Sequence, residues 1–136
     1  MACPYFFPTE RALTIGWAFP HRLPLGGGFC GTCRANAQVF SPNAATLRDS
    51  CNLGHAHGCA RVPMERPADS LRFSVAKDDG ERVLLHYVFE RDHAPVAHGR
   101  LEYHCATRQW PAALTDPCAQ QQADCYLAMY LERRRR

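Results

Sequence analysis

No apolar stretch in this 136-residue chain approaches the roughly eighteen residues that a bilayer-crossing helix needs, so no membrane span is expected. The N-terminal run Met1 to Arg11 lacks a basic start, and Pro4, Pro8 and Glu10 interrupt any signal-like apolar core. Secretion is therefore not expected, and a cytoplasmic location is. A large basic surface is missing too: the net charge is only +3, and four of the basic residues form the terminal run Arg133 to Arg136. The body of the chain is then nearly neutral, which argues against a nucleic-acid partner. Lys77 is the only lysine, and the glycine run Gly26 to Gly28 lacks the strand, Lys and Ser/Thr context of a phosphate-binding loop. No Ser-His-Asp or Cys-His constellation stands out, so the protein is not expected to be an enzyme on its own. No internal repeat is visible.

Cysteine is what the chain has in excess. Eight occur, and five of them (Cys3, Cys30, Cys33, Cys51 and Cys59) fall in the first half. A chain of this length can bury about two thirds of its unfolded surface, so it needs no staples merely to fold. In a reducing compartment such a set reads as metal-binding or catalytic before it reads as disulfides, which stay as the alternative if the compartment is oxidising.

Two regions of different character make up one expected domain, residues 1–136. Residues 1–68 are rich in Pro and Gly with little periodicity, a loop-rich lobe. Within it, Ser41-Pro42 and the residues after it predict a short helix, with Ser41 as N-cap, Pro42 in the first turn, Cys51 in the last turn and Gly54 just beyond. Leu23 to Gly28 reads as a flexible approach to Cys30. Residues 69–136 are regular. Apolar residues alternate at Leu71, Phe73 and Val75, at Val83, Leu85, Tyr87 and Phe89, and at Leu101 and Tyr103, which predicts three strands of an antiparallel meander. Asp78-Asp79-Gly80 supplies the first turn and the longer Asp92 to Pro95 segment the second. Asp116-Pro117 starts a helix whose stripe of Ala119, Ala123, Tyr126, Leu127, Tyr130 and Leu131 is expected to cover the sheet. The fold class is α+β.

A cluster of iron and sulfide needs several thiolates converging on a small volume, held by turns and helix ends whose N–H groups can bond to sulfur. Cys3, Cys33, Cys51 and Cys59 have such settings: before Pro4, after the Gly31-Thr32 turn, at a helix end, and after Gly58. These four are the expected ligands of an iron–sulfur cluster, [4Fe–4S] or similar. Cys33 is preferred to Cys30, because Arg34 can offset cluster charge and Phe29 looks like a packing residue. Cys30 is the substitute should Cys3 lie on a mobile terminus too far away. Zinc is the alternative, although structural zinc favours two tight knuckles and only Cys30-Gly-Thr-Cys33 has that form. His55 and His57 could complete a mixed site. The same Cys-x-x-Cys also allows a dithiol oxidoreductase, but no βαβ pattern surrounds it. Cys105, Cys118 and Cys125 read as small buried hydrophobes. His86 and His104 fall on polar strand phases, and His21, His93 and His98 in loops. The arginine tail reads as a solvated helix end suited to the helix dipole. Electron transfer or redox sensing is the expected role, with a protein redox partner or a place in a larger redox assembly. The alternative is a zinc-stabilised interaction module.

Overall fold

A computed structural model describes residues 1–17, 22–36, 38–53 and 59–135. Its elements run β1 (Phe6–Arg11), β2 (Phe29–Cys33), α1 (Ala44–Thr46) leading into a π-helical turn (Leu47–Cys51), β3 (Ser70–Asp78), β4 (Arg82–Arg91), β5 (Ala94–His104) and α2 (Pro117–Arg134). The class is α+β, with an antiparallel β3–β4–β5 meander and a C-terminal helix.

The meander follows from local chemistry. Alternation places Leu71, Phe73, Val83, Leu85 and Leu101 on one buried face. At the first turn Gly80 adopts φ +88°, while Asp79 Oδ1 accepts from the amides of Glu81 and Arg82. The second turn is tighter than its sequence suggests: only Asp92 and His93 lie outside the strands, both with positive φ, as a two-residue hairpin of primed type requires. β5 therefore begins at Ala94 and includes Pro95, which the edge position tolerates, and His98 is a strand residue and not a loop one.

The N-terminal half is less loop-rich than expected. β1 and β2 form an antiparallel hairpin, with a register shift between Pro8 and Glu10. Pro8 and this bulge break the period-two pattern, which hides the hairpin from a sequence reading. Leu23 and Leu25, expected in a flexible approach, are buried, and Gly26 closes a turn through its amide to the Leu23 carbonyl at 2.8 Å. The short helix starts later than Ser41: Asn43 is the N-cap, its side chain accepting from Thr46 N at 2.9 Å. Cys51 does end the helical segment; Gly54 lies outside the described residues.

Helix α2 begins as its sequence indicates. Asp116 Oδ1 accepts from Cys118 N and Ala119 N ahead of Pro117, a cap worth about 1 kcal/mol. The helix packs chiefly on β1 and touches β3, so it serves the hairpin as much as the meander it was expected to cover. Ala119, Ala123 and Leu127 join Phe6, Leu71 and Leu85 in one buried cluster. Truncating a fully buried leucine costs about 2–5 kcal/mol, against at most about 1 for an exposed pair such as Arg82–Glu102, so this apolar cluster holds the two halves together. The arginine run is more than a solvated end: Arg133 donates to the Gly26 carbonyl, and Arg134 pairs with Asp78 at 2.7 Å.

Candidate functional site

Cys3 opens a β-turn. The Phe6 amide donates to the Cys3 carbonyl at 3.1 Å, with Pro4 at the position where its fixed φ suits a turn. This geometry aims the amides of Tyr5 and Phe6 at the Cys3 sulfur. The terminus carrying the turn is firmly placed. Ala2, fully buried, exchanges two 2.8 Å hydrogen bonds with Leu71 at the edge of β3, and the Cys3 amide donates to the Cys51 carbonyl at 3.1 Å. From α2, the buried Gln122 Nε2 donates to the carbonyls of both Cys3 (2.7 Å) and Phe6 (2.9 Å). The condition under which Cys30 was to substitute, a terminus that carries Cys3 too far away, does not describe this arrangement.

Cys30-Gly31-Thr32-Cys33 is neither a turn nor a knuckle; it lies within β2. Side chains three apart in a strand leave opposite faces. Cys33 therefore turns inward with Phe29, and Cys30 points off the other side, partly exposed. Gly31 is required for a reason other than turning: a Cβ there would stand 2.1 Å from the Phe7 carbonyl oxygen and 2.8 Å from Pro8 Cα. Beyond Cys33 the chain returns, and Cys33 and Phe40 exchange backbone hydrogen bonds of 2.6 and 3.1 Å. Arg34 and Arg61 stack over the rings of Phe7 and Phe40, 3.7 and 3.8 Å from the ring centroids.

Cys51 is fastened to β2 by its neighbour. Asn52 is buried and uses its whole amide, accepting from Phe29 N and donating to the carbonyls of Phe29 and Leu47 at 2.9–3.0 Å. Neither Asn52 nor Gln122 was singled out by sequence. A polar residue beside a proposed ligand and one on the apolar stripe of an amphipathic helix were the available signals.

These segments bring Cys3 and Cys51 into electrostatic range of each other and of Cys33 and Cys59. Burial pushes the Cys3 thiol up to about 12; the two turn amides pull it down, and charge on Cys33 and Cys59 pushes it up again. Burial likewise pushes Cys51 up to about 12, with added contributions from Cys3, Cys33 and Cys59. In this water-poor site thiolates are unfavourable unless a cation compensates them. All eight cysteines are free thiols. Among the described residues, no group of three or more His, Cys, Asp or Glu side chains is placed to hold a metal ion. His21, His55 and His57, as well as Gly58, lie outside the described residues.

The remaining cysteines divide. Cys125 is partly buried on α2, its thiol raised to about 11 by burial and then by Asp124, and Cys105 follows β5, partly exposed. Cys118 is closer to the site than a packing residue need be. It is buried, its Sγ donates to the Tyr5 carbonyl at 3.7 Å, and its thiol is raised to about 11 by burial first and then by Asp116, with Cys33 adding a smaller push. A cavity of about 570 Å³ lies beside the same turn, lined by Pro4, Tyr5, Phe89, Val96, Pro117 and Cys118. On the meander the His86 and His98 rings meet edge to face at 5.7 Å, and His104 contacts Glu102 at 3.0 Å.

No protein-family model, curated protein or solved structure matches this chain.

Proposed function

We propose that the protein binds an iron–sulfur cluster, [4Fe–4S], through Cys3, Cys33, Cys51 and Cys59, and that it works in electron transfer or redox sensing as part of a larger redox assembly. One observation carries this reading: Cys3 and Cys51 lie within electrostatic reach of each other and of Cys33 and Cys59, Cys3, Cys33 and Cys51 are buried, and two backbone amides are directed at the sulfur of Cys3. Amide-to-sulfur hydrogen bonds and burial are the means by which a protein sets a cluster's potential.

The zinc alternative asks for different geometry. A zinc ion draws four ligands to about 2.3 Å from one point, so neighbouring sulfurs stand roughly 3.8 Å apart. A four-iron cluster gives each thiolate its own iron and spreads the sulfurs more widely. The one tight knuckle in the sequence, Cys30-Gly-Thr-Cys33, lies in a strand with its two thiols on opposite faces.

Anaerobic purification with metal and sulfide analysis tests the proposal. The expected result is brown protein with a broad sulfide-to-iron band in the visible and about four iron and four sulfide per chain. Stoichiometric zinc without iron, in protein never exposed to air, overturns it in favour of a zinc-stabilised module.

A further inference from the structure

The cavity of about 570 Å³ beside the Cys3 turn has the size of a small-molecule pocket, and its lining is chiefly apolar. Its walls belong to segments that the fold already fixes. Pro4 lies in the turn clamped by Gln122, and Pro117 follows the Asp116 cap at the start of α2. Pro67 and Ala68 precede Asp69, whose amide donates to the Glu90 carbonyl at 2.8 Å and whose carboxylate accepts from the Asp92 amide at 3.1 Å. Phe89 and Ala97 face each other across β4 and β5, and Val96 beside them is 43% exposed. Because proline fixes φ and the other walls are paired, little freedom remains to be lost when the cavity fills.

One charge on these walls lacks a counter-charge. Arg34 borders the cavity; its backbone amide donates to the Tyr5 carbonyl at 2.9 Å, and its guanidinium stacks on the Phe7 ring at 3.7 Å, so the side chain is held at both ends. Among the described residues it enters no ion pair and no side-chain hydrogen bond. Asp116, on the same walls, already accepts from the amides of Cys118 and Ala119, and the positive end of α2 offsets its charge. Burial, then Asp116, raises the Cys118 thiol and Arg34 pulls against them, so the field of the guanidinium reaches that wall. We infer that this cavity binds a compact organic monocarboxylate, with the apolar body against the proline and meander walls and the carboxylate on the Arg34 guanidinium. A guanidinium already oriented by a ring offers a carboxylate two parallel N–H donors and gives up little freedom in doing so. The inference uses none of the proposed cluster ligands and stands whether or not the chain holds iron.

Fluorescence titration of the full chain with anilinonaphthalene sulfonate, an apolar dye with one anionic group, tests this. Wild type should take up the dye saturably at a single site, with a melting temperature that rises with dye concentration. Naphthoate should displace the dye at about tenfold lower concentration than its neutral counterpart naphthalenemethanol, as a charge-assisted pair requires. In Arg34→Gln that gap should close while naphthalenemethanol binds as before, and Ala97→Trp, which fills the cavity, should abolish dye binding. Equal displacement by naphthoate and naphthalenemethanol in wild type overturns the inference even if every variant misfolds. A gap that persists in Arg34→Gln does so too, as does undiminished dye binding by folded Ala97→Trp, which puts the site elsewhere. Wild type that takes up no dye also overturns it, and sedimentation then tells whether a second copy of the chain covers this face.

Discussion

The amide of Cys3 donates to the carbonyl of Cys51 at 3.1 Å, and this bond joins the first turn of the chain to the end of its short helix. Two cysteines far apart in sequence are thereby held at the backbone, before any metal is considered. The Ala2–Leu71 pairing on one side and Gln122 on the other fix that junction against the meander and α2.

Removal of ligands should separate the cysteines into two sets. Substituting Cys3, Cys33, Cys51 or Cys59 by Ser should sharply lower bound iron. Cys30, Cys105, Cys118 and Cys125 changed to Ala should leave iron content nearly intact, because Cys30 leaves the outer face of β2 and the others lie outside the group of four. Iron analysis of anaerobic preparations reads the outcome; iron lost at Cys30 and kept at Cys33 would reverse the choice within β2.

Gln122→Leu should destabilise the protein by about 1–3 kcal/mol, read as a lower midpoint in urea. The carbonyls of Cys3 and Phe6 each lose a side-chain donor, although Cys3 keeps the Phe6 amide, and the loss is offset in part because Gln122 Oε1, buried without a partner, is removed too. Gln122→Glu should be worse at neutral pH, since it faces the same two carbonyls with a carboxylate. Cluster release to a chelator should quicken in both variants; an unchanged release rate would show that the clamp on the Cys3 turn is immaterial to the site.

Two glycines should respond differently to alanine. At Gly31 the added methyl meets backbone of β1, which cannot swing aside, so the hairpin must part and Cys33 must shift; the expected cost is about 1–3 kcal/mol with reduced iron content. At Gly80 there is open space, and only the positive φ is unfavourable, by about 1–2 kcal/mol. Gly80→Ala should therefore keep its full iron complement.

Acid should weaken the join between β3 and α2. Hydrogen bonds from Arg134, then Tyr130, hold the Asp78 carboxyl down to about 2. Its ordinary value in the unfolded chain is about 3.9, so its contribution is complete above that pH and is lost as the pH falls through about 2. In Asp78→Asn the fall in stability between about pH 4 and pH 2 should be shallower than in wild type, measured by urea unfolding at each pH. Equal slopes would mean that the ion pair does not form in solution.

What the sequence by itself determined was whatever depends on neighbours along the chain. Alternation at Leu71 to Tyr103, the Asp79-Gly80 turn and the Asp116-Pro117 cap are short-range signals, and each appears where the residues indicate. The inward face of Cys33 has a different origin from the one its sequence offers, strand parity in place of a glycine turn. Only the tertiary structure decided the rest. The β1–β2 hairpin is hidden by Pro8 and its bulge, because cross-strand bonds there replace the pattern that a single strand would show. Asn52 and Gln122 look like ordinary polar residues until burial leaves them facing the carbonyls of distant segments. Hydrogen bonds and burial between segments depend on how the whole chain packs, and no local stretch of sequence encodes them.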